Sequence, residues 1–146
     1  MNIQSKKSDN KLSGKTLICE DQYPGFSFRY MTANNNYNLN YFRDEHDKLI
    51  TCEGLINKLT EFSKQPWMYW AQQRKMLGIE QMEYSRVRFK ASDDARLNDD
   101  TKVYVIRFDS FRGSGEGRII GFKESPCAIL NIIGFDFDFS SYNHGK

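Results

Sequence analysis

The chain is poor in the residues that build disulfide frameworks and zinc sites. Its 146 residues include three cysteines and two histidines. The cysteines, Cys19, Cys52 and Cys127, are far apart and form no C-x-x-C pair. Structural zinc sites and small disulfide-rich domains depend on several thiols at short, regular spacing. The sequence therefore predicts separate buried or half-buried thiols and argues against a fold held together by metal or disulfides.

Long apolar runs and an excess of one charge are also missing. No stretch reaches the roughly 18 apolar residues needed to span a bilayer, and the polar start of the chain contains no signal-peptide core. The 21 basic and 19 acidic side chains leave a net charge of +2. Overall charge alone therefore does not indicate nucleic-acid binding, although a local basic patch is compatible with it. These absences predict a soluble protein of the cytoplasm.

Aromatic side chains, by contrast, are abundant. The chain has eleven Phe, eight Tyr and two Trp, and 39% of its residues are hydrophobic. That composition and length suffice for one hydrophobic core. Residues 1–15 are polar and predict a flexible arm, whereas residues 16–146 predict a single domain.

The first part of this domain predicts a strand and its return. Residues 26–32, FSFRYMT, alternate as a half-buried strand does. The asparagine-rich run 33–38 predicts a turn, because asparagine tolerates left-handed backbone and hydrogen-bonds locally. Residues 39–42, LNYF, are then expected to form a second strand that completes a hairpin.

Two helices are indicated next. The first has Thr51 as its predicted N-cap and an apolar stripe of 3.6-residue period. That stripe consists of Leu55, Ile56, Leu59 and Phe62. Pro66 stands where a second helix begins, and Gly78 stands where it ends. Trp67 and Trp70 are interpreted as core residues of this helix, with a base-stacking surface as the alternative.

The second half of the chain predicts a sheet. Basic and apolar residues alternate in 83–91, which predicts a strand, and the acidic run 92–101 predicts an exposed loop. Three closely connected strands follow, at 102–108, 117–122 and 127–137. The whole order predicts an α+β fold: an N-terminal strand or hairpin, two helices, then an antiparallel sheet of three to four strands.

The glycine-rich run GSGEGR at 113–118 resembles a phosphate-binding loop in composition only. A Walker loop needs lysine and Ser/Thr after its last glycine and leads into a helix. Here the glycines lead into RIIGF, which has the composition of a strand. A hairpin turn is therefore the prediction for this segment.

Phenylalanine and aspartate alternate at the end of the last predicted strand, in GFDFDF. Asp136 and Asp138 are two residues apart, which places both carboxyl groups on one face of an extended strand. Such a pair suits Mg²⁺, but no third acidic ligand is specified nearby. The same alternation arises when the phenylalanines pack inward and the aspartates face water. This second interpretation is preferred, and no metal site is predicted.

Histidine and arginine supply the candidate functional side chains. His144 lies in the C-terminal tail, and histidine suits general acid–base chemistry because its ordinary pKa lies near neutrality. An exposed tail residue is the alternative interpretation. Guanidinium groups on a sheet can hold phosphate in a bidentate manner, although ordinary solvent-facing charge has the same pattern. The arginines on or between predicted strands are Arg86, Arg88, Arg107, Arg112 and Arg118.

The element order, together with YVIRF, GRIIGF and AILNIIGFDFDFSSYNHG, resembles the RelE/ParE superfamily over the last third of the chain. These are small bacterial toxins, many of which cut mRNA on the ribosome. The resemblance implies that Arg118 stabilises charge on the scissile phosphate and that Tyr142 and His144 transfer protons. The other four arginines are then the RNA-binding candidates. The pattern also resembles that of short proteins of bacteria and their phages.

Three functions follow as hypotheses. The first is a toxin-like endoribonuclease that acts on mRNA without metal or cofactor, with an antitoxin, RNA or the ribosome as partner and no membrane association. The second is a non-catalytic protein-binding module of phage or mobile-element origin, which the near-neutral charge and surplus aromatics favour. The third is a Mg²⁺-dependent nuclease built on Asp136 and Asp138.

Overall fold

A five-stranded sheet forms the centre of the computed structural model, which describes residues 21–124 and 128–143. The strands are β1 (Gly25–Ser27), β2 (Ile79–Glu83), β3 (Lys102–Ser110), β4 (Gly113–Lys123) and β5 (Ile129–Asp136). Their order across the sheet is β1-β5-β4-β3-β2. Strand β1 runs parallel to β5, and all other neighbours are antiparallel. The predicted α+β class is confirmed, and the sheet is larger than expected and mixed.

The long helix α1 spans Glu45–Phe62, and its N-cap is Asp44 rather than Thr51. The Asp44 side chain accepts a hydrogen bond from the Asp47 amide at 3.2 Å, which satisfies a donor that a helix start leaves open. Thr51 lies inside the helix and is fully buried, and its hydroxyl oxygen accepts from the Phe111 amide at 3.0 Å. The polar residue taken for a cap thus ties α1 to the turn between β3 and β4.

The apolar stripe of α1 faces the sheet, with one exception. Leu55, Leu59 and Phe62 are buried in the core, whereas Ile56 is 58% exposed. Adjacent residues of a helix point about 100° apart, so Ile56 lies beside the stripe rather than in it. The prediction that Ile56 packs inward is therefore wrong.

The short helix α2, Trp67–Ala71, begins after Pro66 as predicted but ends well before Gly78. Trp67 and Trp70 are both buried, and the indole of Trp70 stacks on Phe62 with ring centroids 4.1 Å apart. Each indole N–H donates to a backbone carbonyl. The core interpretation of these tryptophans is confirmed, because the rings that a base would stack on are covered.

The predicted strand 26–32 is a strand only through Ser27. Two further segments predicted as strands are not strands. Residues 39–42 contain a 3₁₀ turn, Leu39–Tyr41, because the Asn38 side chain caps it by accepting from the Asn40 amide at 2.9 Å. In the predicted strand 83–91, a 3₁₀ turn at 84–86 begins as soon as β2 ends. The observed strand β2 was missed because its inward face carries a glutamate.

The hairpin between β3 and β4 also differs from its prediction. Its turn lies at residues 111–112, and the glycine-rich run GSGEG is the first part of β4. Gly115 has φ of +69°, a left-handed backbone that glycine adopts without strain. The Gly115 amide donates to Asp109 at 2.8 Å across the hairpin. The glycines therefore shape the start of a strand, and no helix follows them.

Apolar side chains cover both faces of the sheet. The face toward α1 and α2 buries Ile106, Phe108, Ile119, Leu130, Ile132 and Phe135. The opposite face buries Val103, Val105, Ile120 and Phe122, which loop residues such as Tyr30, Tyr37 and Phe89 cover. Neither helix in the described part of the chain is long and apolar enough to cross a membrane.

Candidate functional site

A cleft of about 770 Å³ lies beside the sheet face that points away from α1. Its walls are four consecutive residues of β2, 79–82, and the tail residues Tyr142 and Asn143. Its basic side chains are Lys75, Arg86, Arg107 and Arg118, and Glu80 is its acidic side chain. Basic residues from separate parts of the sequence therefore meet in one concave site, although the whole chain is nearly neutral.

Two arginines and an aspartate form a row across three strands. Arg107 on β3 lies directly opposite Arg118 on β4, which in turn lies directly opposite Asp136 on β5. Directly opposed residues of neighbouring strands have their side chains on the same face, at close range. Like charges in this arrangement repel, and Asp136 supplies one negative charge against the two guanidinium groups.

Arg118 is held almost completely inside the protein, at 5% exposure. Its Nη1 donates to the carbonyls of Gly115 and Gly117, at 2.7 and 3.1 Å. The guanidinium also lies 5.3 Å from the centre of the Phe139 ring. The glycine-rich start of β4 thus provides the backbone acceptors that orient this arginine. A fixed arginine can receive an anion without first losing side-chain freedom.

The Nε atoms of Arg107 and Arg118 are buried, and neither has a hydrogen-bond partner among residues 21–124 and 128–143. Buried donors in folded proteins are nearly always paired, and leaving one unpaired costs about 1–3 kcal/mol. Two unpaired buried donors on neighbouring arginines are therefore unusual in a folded protein. The row therefore has donor capacity that the described protein groups do not use.

Tyr142 brings a phenol to the same cleft. Burial raises the pKa of Tyr142, the hydrogen bond with Arg118 lowers it, and the nearby charge of Glu80 raises it further, so that the net direction is upward. The phenol consequently keeps its proton at neutral pH. It is able to donate a hydrogen bond or a proton, and it is not a base under those conditions.

Asp136 is fully buried, which corrects the expectation that it faces water. The amides of Asp138, Ser140 and Ser141 donate to its carboxylate, each at 3.1 Å, and so does the Ser141 hydroxyl. Burial by itself raises the pKa of Asp136, but these hydrogen bonds outweigh it and lower the pKa below its ordinary value of 3.8. Asp136 therefore anchors the turn that carries Tyr142 into the cleft.

Asp138 does not share a strand face with Asp136. Strand β5 ends at Asp136, and Asp138 lies in the following turn, where its carboxyl group accepts from the Ser140 hydroxyl. In the described residues, no three His, Cys, Asp or Glu side chains are grouped closely enough to hold a metal ion. Phe135 and Phe137 pack inward as predicted, but the same prediction is wrong for Phe139, which is 40% exposed.

The structure brings together four of the candidate residues named from the sequence. Arg86, Arg107, Arg118 and Tyr142 line the cleft. Two candidates are not among its lining residues: Arg88 is exposed, and Arg112 lies at the hairpin turn with its guanidinium 5.8 Å from the centre of the Phe111 ring. His144 lies outside the described residues.

Glu80 and Lys75 are parts of the cleft that sequence reasoning missed. Their side chains form an ion pair with an N–O distance of 3.8 Å. The second carboxyl oxygen of Glu80, Oε1, is buried and has no hydrogen-bond partner among the described residues. The segment IEQME does contain the alternation that is typical of a strand, because Glu80 and Met82 alternate with Ile79 and Gln81. The strand was not predicted, because the charged Glu80 shares the side of β2 that carries Met82.

Comparison with known proteins adds no further assignment: no family model, curated protein or solved structure matches this chain. The resemblance to the RelE/ParE superfamily therefore stays a hypothesis.

Proposed function

We propose that this protein binds RNA through the cleft, with one phosphate group held by Arg107 and Arg118. The observation that carries the proposal is the direct opposition of these two arginines on neighbouring strands. Two planar guanidinium groups at close range present several parallel N–H donors, which match the oxygens of a phosphate. A bound phosphate also neutralises the repulsion between them.

The charge of the cleft supports the same ligand class. Its lining carries four basic side chains and one acidic side chain, which gives it a formal charge of +3. The rest of the chain is nearly balanced, since the net charge of the whole sequence is +2. Positive charge concentrated in a cleft attracts a phosphate chain and orients it at this one place.

The enzymatic form of this proposal is the metal-independent cleavage that the RelE/ParE resemblance implies. The ribose 2′-oxygen attacks phosphorus and loses its proton to a base, while the bond from phosphorus to the 5′-oxygen breaks. The products are a 2′,3′-cyclic phosphate and a 5′-hydroxyl. Arg107 and Arg118 stabilise the charge of the pentacoordinate phosphate, and the protonated phenol of Tyr142 gives its proton to the leaving oxygen. His144 is the residue that the resemblance supplies as base.

This form of the proposal also includes a cellular setting. The protein acts in the cytoplasm, where mRNA and the ribosome are available to it. An antitoxin protein restrains it, and the reaction needs no cofactor.

Fluorescence anisotropy with a labelled single-stranded RNA of roughly 12 nucleotides tests the binding proposal. Arg107→Gln is the informative variant, because Arg107 is only half-buried and its loss leaves the anchored Arg118 in place. We expect an affinity at least about tenfold lower, and a slope of log affinity against log salt that is smaller by about one. Arg112→Gln, at the exposed hairpin turn, is the matched control. Equal RNA affinity in the two variants would contradict the proposal.

Cleavage is tested separately with an end-labelled RNA in the presence of EDTA. We expect fragments that end in a 2′,3′-cyclic phosphate, slower cleavage by Tyr142→Phe, and none of an RNA methylated at every 2′-oxygen. Wild-type protein that binds the RNA and leaves it intact would remove the enzymatic form of the proposal while RNA binding stands.

A second candidate function, a protein-binding module, is favoured by the outer side of α1. Leu49, Ile50 and Ile56 are exposed there on one helix. Grouped exposed apolar side chains are typical of protein–protein contacts. This candidate predicts one stoichiometric protein partner that copurifies with the wild type and with Arg107→Gln but is lost with Ile56→Lys. Copurification that does not depend on Ile56 would contradict it.

A further inference from the structure

We infer that Glu80 accepts a hydrogen bond from a ribose hydroxyl of the bound ligand, so that the cleft prefers RNA to DNA of the same sequence. This inference rests on the proposed RNA binding and deepens it, because it names the sugar as the feature that is recognised. It concerns a residue on β2 to which the sequence pattern assigned no role.

The position of Glu80 follows from the register of the sheet. Glu80 on β2 lies directly opposite Val105 on β3. Its side chain therefore lies on the same sheet face as Val105 and as Arg107, two residues further along β3. The electrostatic influence of Glu80 on the pKa of Tyr142 reflects the same proximity. Glu80 thus lies near Arg107, which contacts the phosphate in the proposed complex, and near the phenol of Tyr142.

The carboxyl group of Glu80 has unused capacity to accept hydrogen bonds. Oε1 is buried without a partner among the described residues, and Oε2 is 3.8 Å from the Lys75 ammonium. Lys75 is 68% exposed, and ion pairs with such an exposed partner contribute little. Rotation about the last side-chain torsion of a glutamate is soft, so either oxygen can turn toward the cleft. A donor supplied by the ligand satisfies this group.

A carboxyl group in a phosphate-binding cleft selects among ligands. It repels the phosphate, and this cost is recovered only by a ligand that brings a hydrogen-bond donor close to its phosphate. RNA does so at every nucleotide, because the 2′-hydroxyl is adjacent to the 3′-phosphate. DNA lacks that hydroxyl and leaves Glu80 unpaired beside the phosphate. Sites built to pair with a hydroxyl reject the analogue that lacks it.

The test compares RNA and DNA oligonucleotides of one sequence, with the same label, on the wild type and three variants. Glu80→Gln removes the charge and keeps an acceptor oxygen. Glu80→Met removes both with little change of shape. Glu83→Gln, on the same strand but exposed, is the matched control. Thermal unfolding of each variant, followed by circular dichroism, confirms that the fold is retained before affinities are compared.

We expect the wild type and Glu83→Gln to bind RNA at least about tenfold more tightly than DNA, as one hydrogen bond to a charged acceptor allows. Glu80→Met brings the ratio of the two affinities close to one, mainly by improving DNA binding. Glu80→Gln retains part of the preference. The four ratios together separate a hydrogen bond to the sugar from a general charge effect.

Two results would overturn the inference in distinguishable ways. If the wild type binds RNA and DNA equally, or if Glu80→Met keeps the wild-type ratio, sugar recognition by Glu80 is wrong while nucleic-acid binding stands. If the wild type binds neither oligonucleotide, the proposed function is wrong and the inference is overturned with it.

Discussion

Replacing Asp136 by asparagine tests whether the buried carboxylate is what holds the C-terminal turn against the sheet. The two side chains have nearly the same shape, so the change introduces no cavity. An amide offers one acceptor oxygen, whereas the carboxylate uses both: one accepts from Asp138 and Ser140, the other from the amide and hydroxyl of Ser141. The NH₂ group of asparagine must therefore face at least one N–H donor.

The expected loss of stability follows from the hydrogen bonds that the carboxylate of Asp136 accepts. A hydrogen bond to a charged group contributes about 1.5–3 kcal/mol, and a buried donor that loses its partner adds a penalty of similar size. One side of the network survives in the variant and the other is lost. We therefore expect Asp136→Asn to lower the free energy of unfolding by about 3–6 kcal/mol at pH 7.

The pH dependence has a definite sign. The pKa of Asp136 is lower in the folded protein than its ordinary value of 3.8. A carboxyl group with a lowered folded-state pKa stabilises the fold fully above its unfolded pKa, and this contribution is lost as the pH falls through the folded pKa. The difference between wild type and Asp136→Asn is therefore constant between about pH 5 and 7 and shrinks below about pH 4.

Urea unfolding followed by tryptophan fluorescence measures this difference, because Trp67 and Trp70 are buried in the core. Asp138→Asn is the control, since Asp138 is only half-buried and its carboxyl group accepts from a single hydroxyl, that of Ser140. We expect it to cost less than about 1 kcal/mol. A loss below about 0.5 kcal/mol for Asp136→Asn, or one that is the same at pH 6 and pH 3.5, would refute this account of the turn.

Substitutions at three further positions test the fold through the free energy of unfolding, measured in the same way. Gly115→Ala forces a side chain into left-handed backbone and costs about 1–2 kcal/mol, whereas Gly115→Asn costs less, because asparagine tolerates that conformation. Phe137→Ala removes a fully buried ring that contacts Phe42 and Phe135 and costs about 3–5 kcal/mol. Ile56→Lys on the exposed side of α1 changes the free energy by no more than about 0.5 kcal/mol.

Each of these three has an outcome that contradicts its reasoning. Equal losses for alanine and asparagine at Gly115 would mean that backbone conformation is not the cause. A loss below about 2 kcal/mol for Phe137→Ala would place this ring outside the core. Strong destabilisation by Ile56→Lys would mean that the stripe of α1 includes Ile56 after all.

The predictions that the structure confirms depend on local pattern. Leu55, Leu59 and Phe62 recur with the period of a helix, so their burial could be predicted from their spacing alone. The apolar and β-branched runs in β3, β4 and β5 are long enough to be recognised in the same way. Where the local signal was mixed, as in the polar strand β2 and the 3₁₀ turn after it, the prediction was wrong.

The candidate site was only partly accessible from sequence. Arginine on strands was a visible feature, but which arginines share one place depends on strand register. Arg107 and Arg118 are opposed because the β3–β4 hairpin turns at residues 111–112, which also places Arg112 at that turn. Arg88 lies in the loop that follows β2. Glu80 joins them through a strand that the sequence did not reveal.

The sequence by itself determined the class of fold, the helix–sheet order and most of the core, because these follow from the periodicity of apolar residues within each segment. The tertiary structure decided what the polar residues do. Asp136 looks like a solvent-facing residue of an alternating strand, yet it is buried because the turn that follows directs its amides onto the carboxylate. Hydrogen bonding between a side chain and the amides of a following turn depends on the path of the backbone after the strand, and the periodicity of a segment does not predict it.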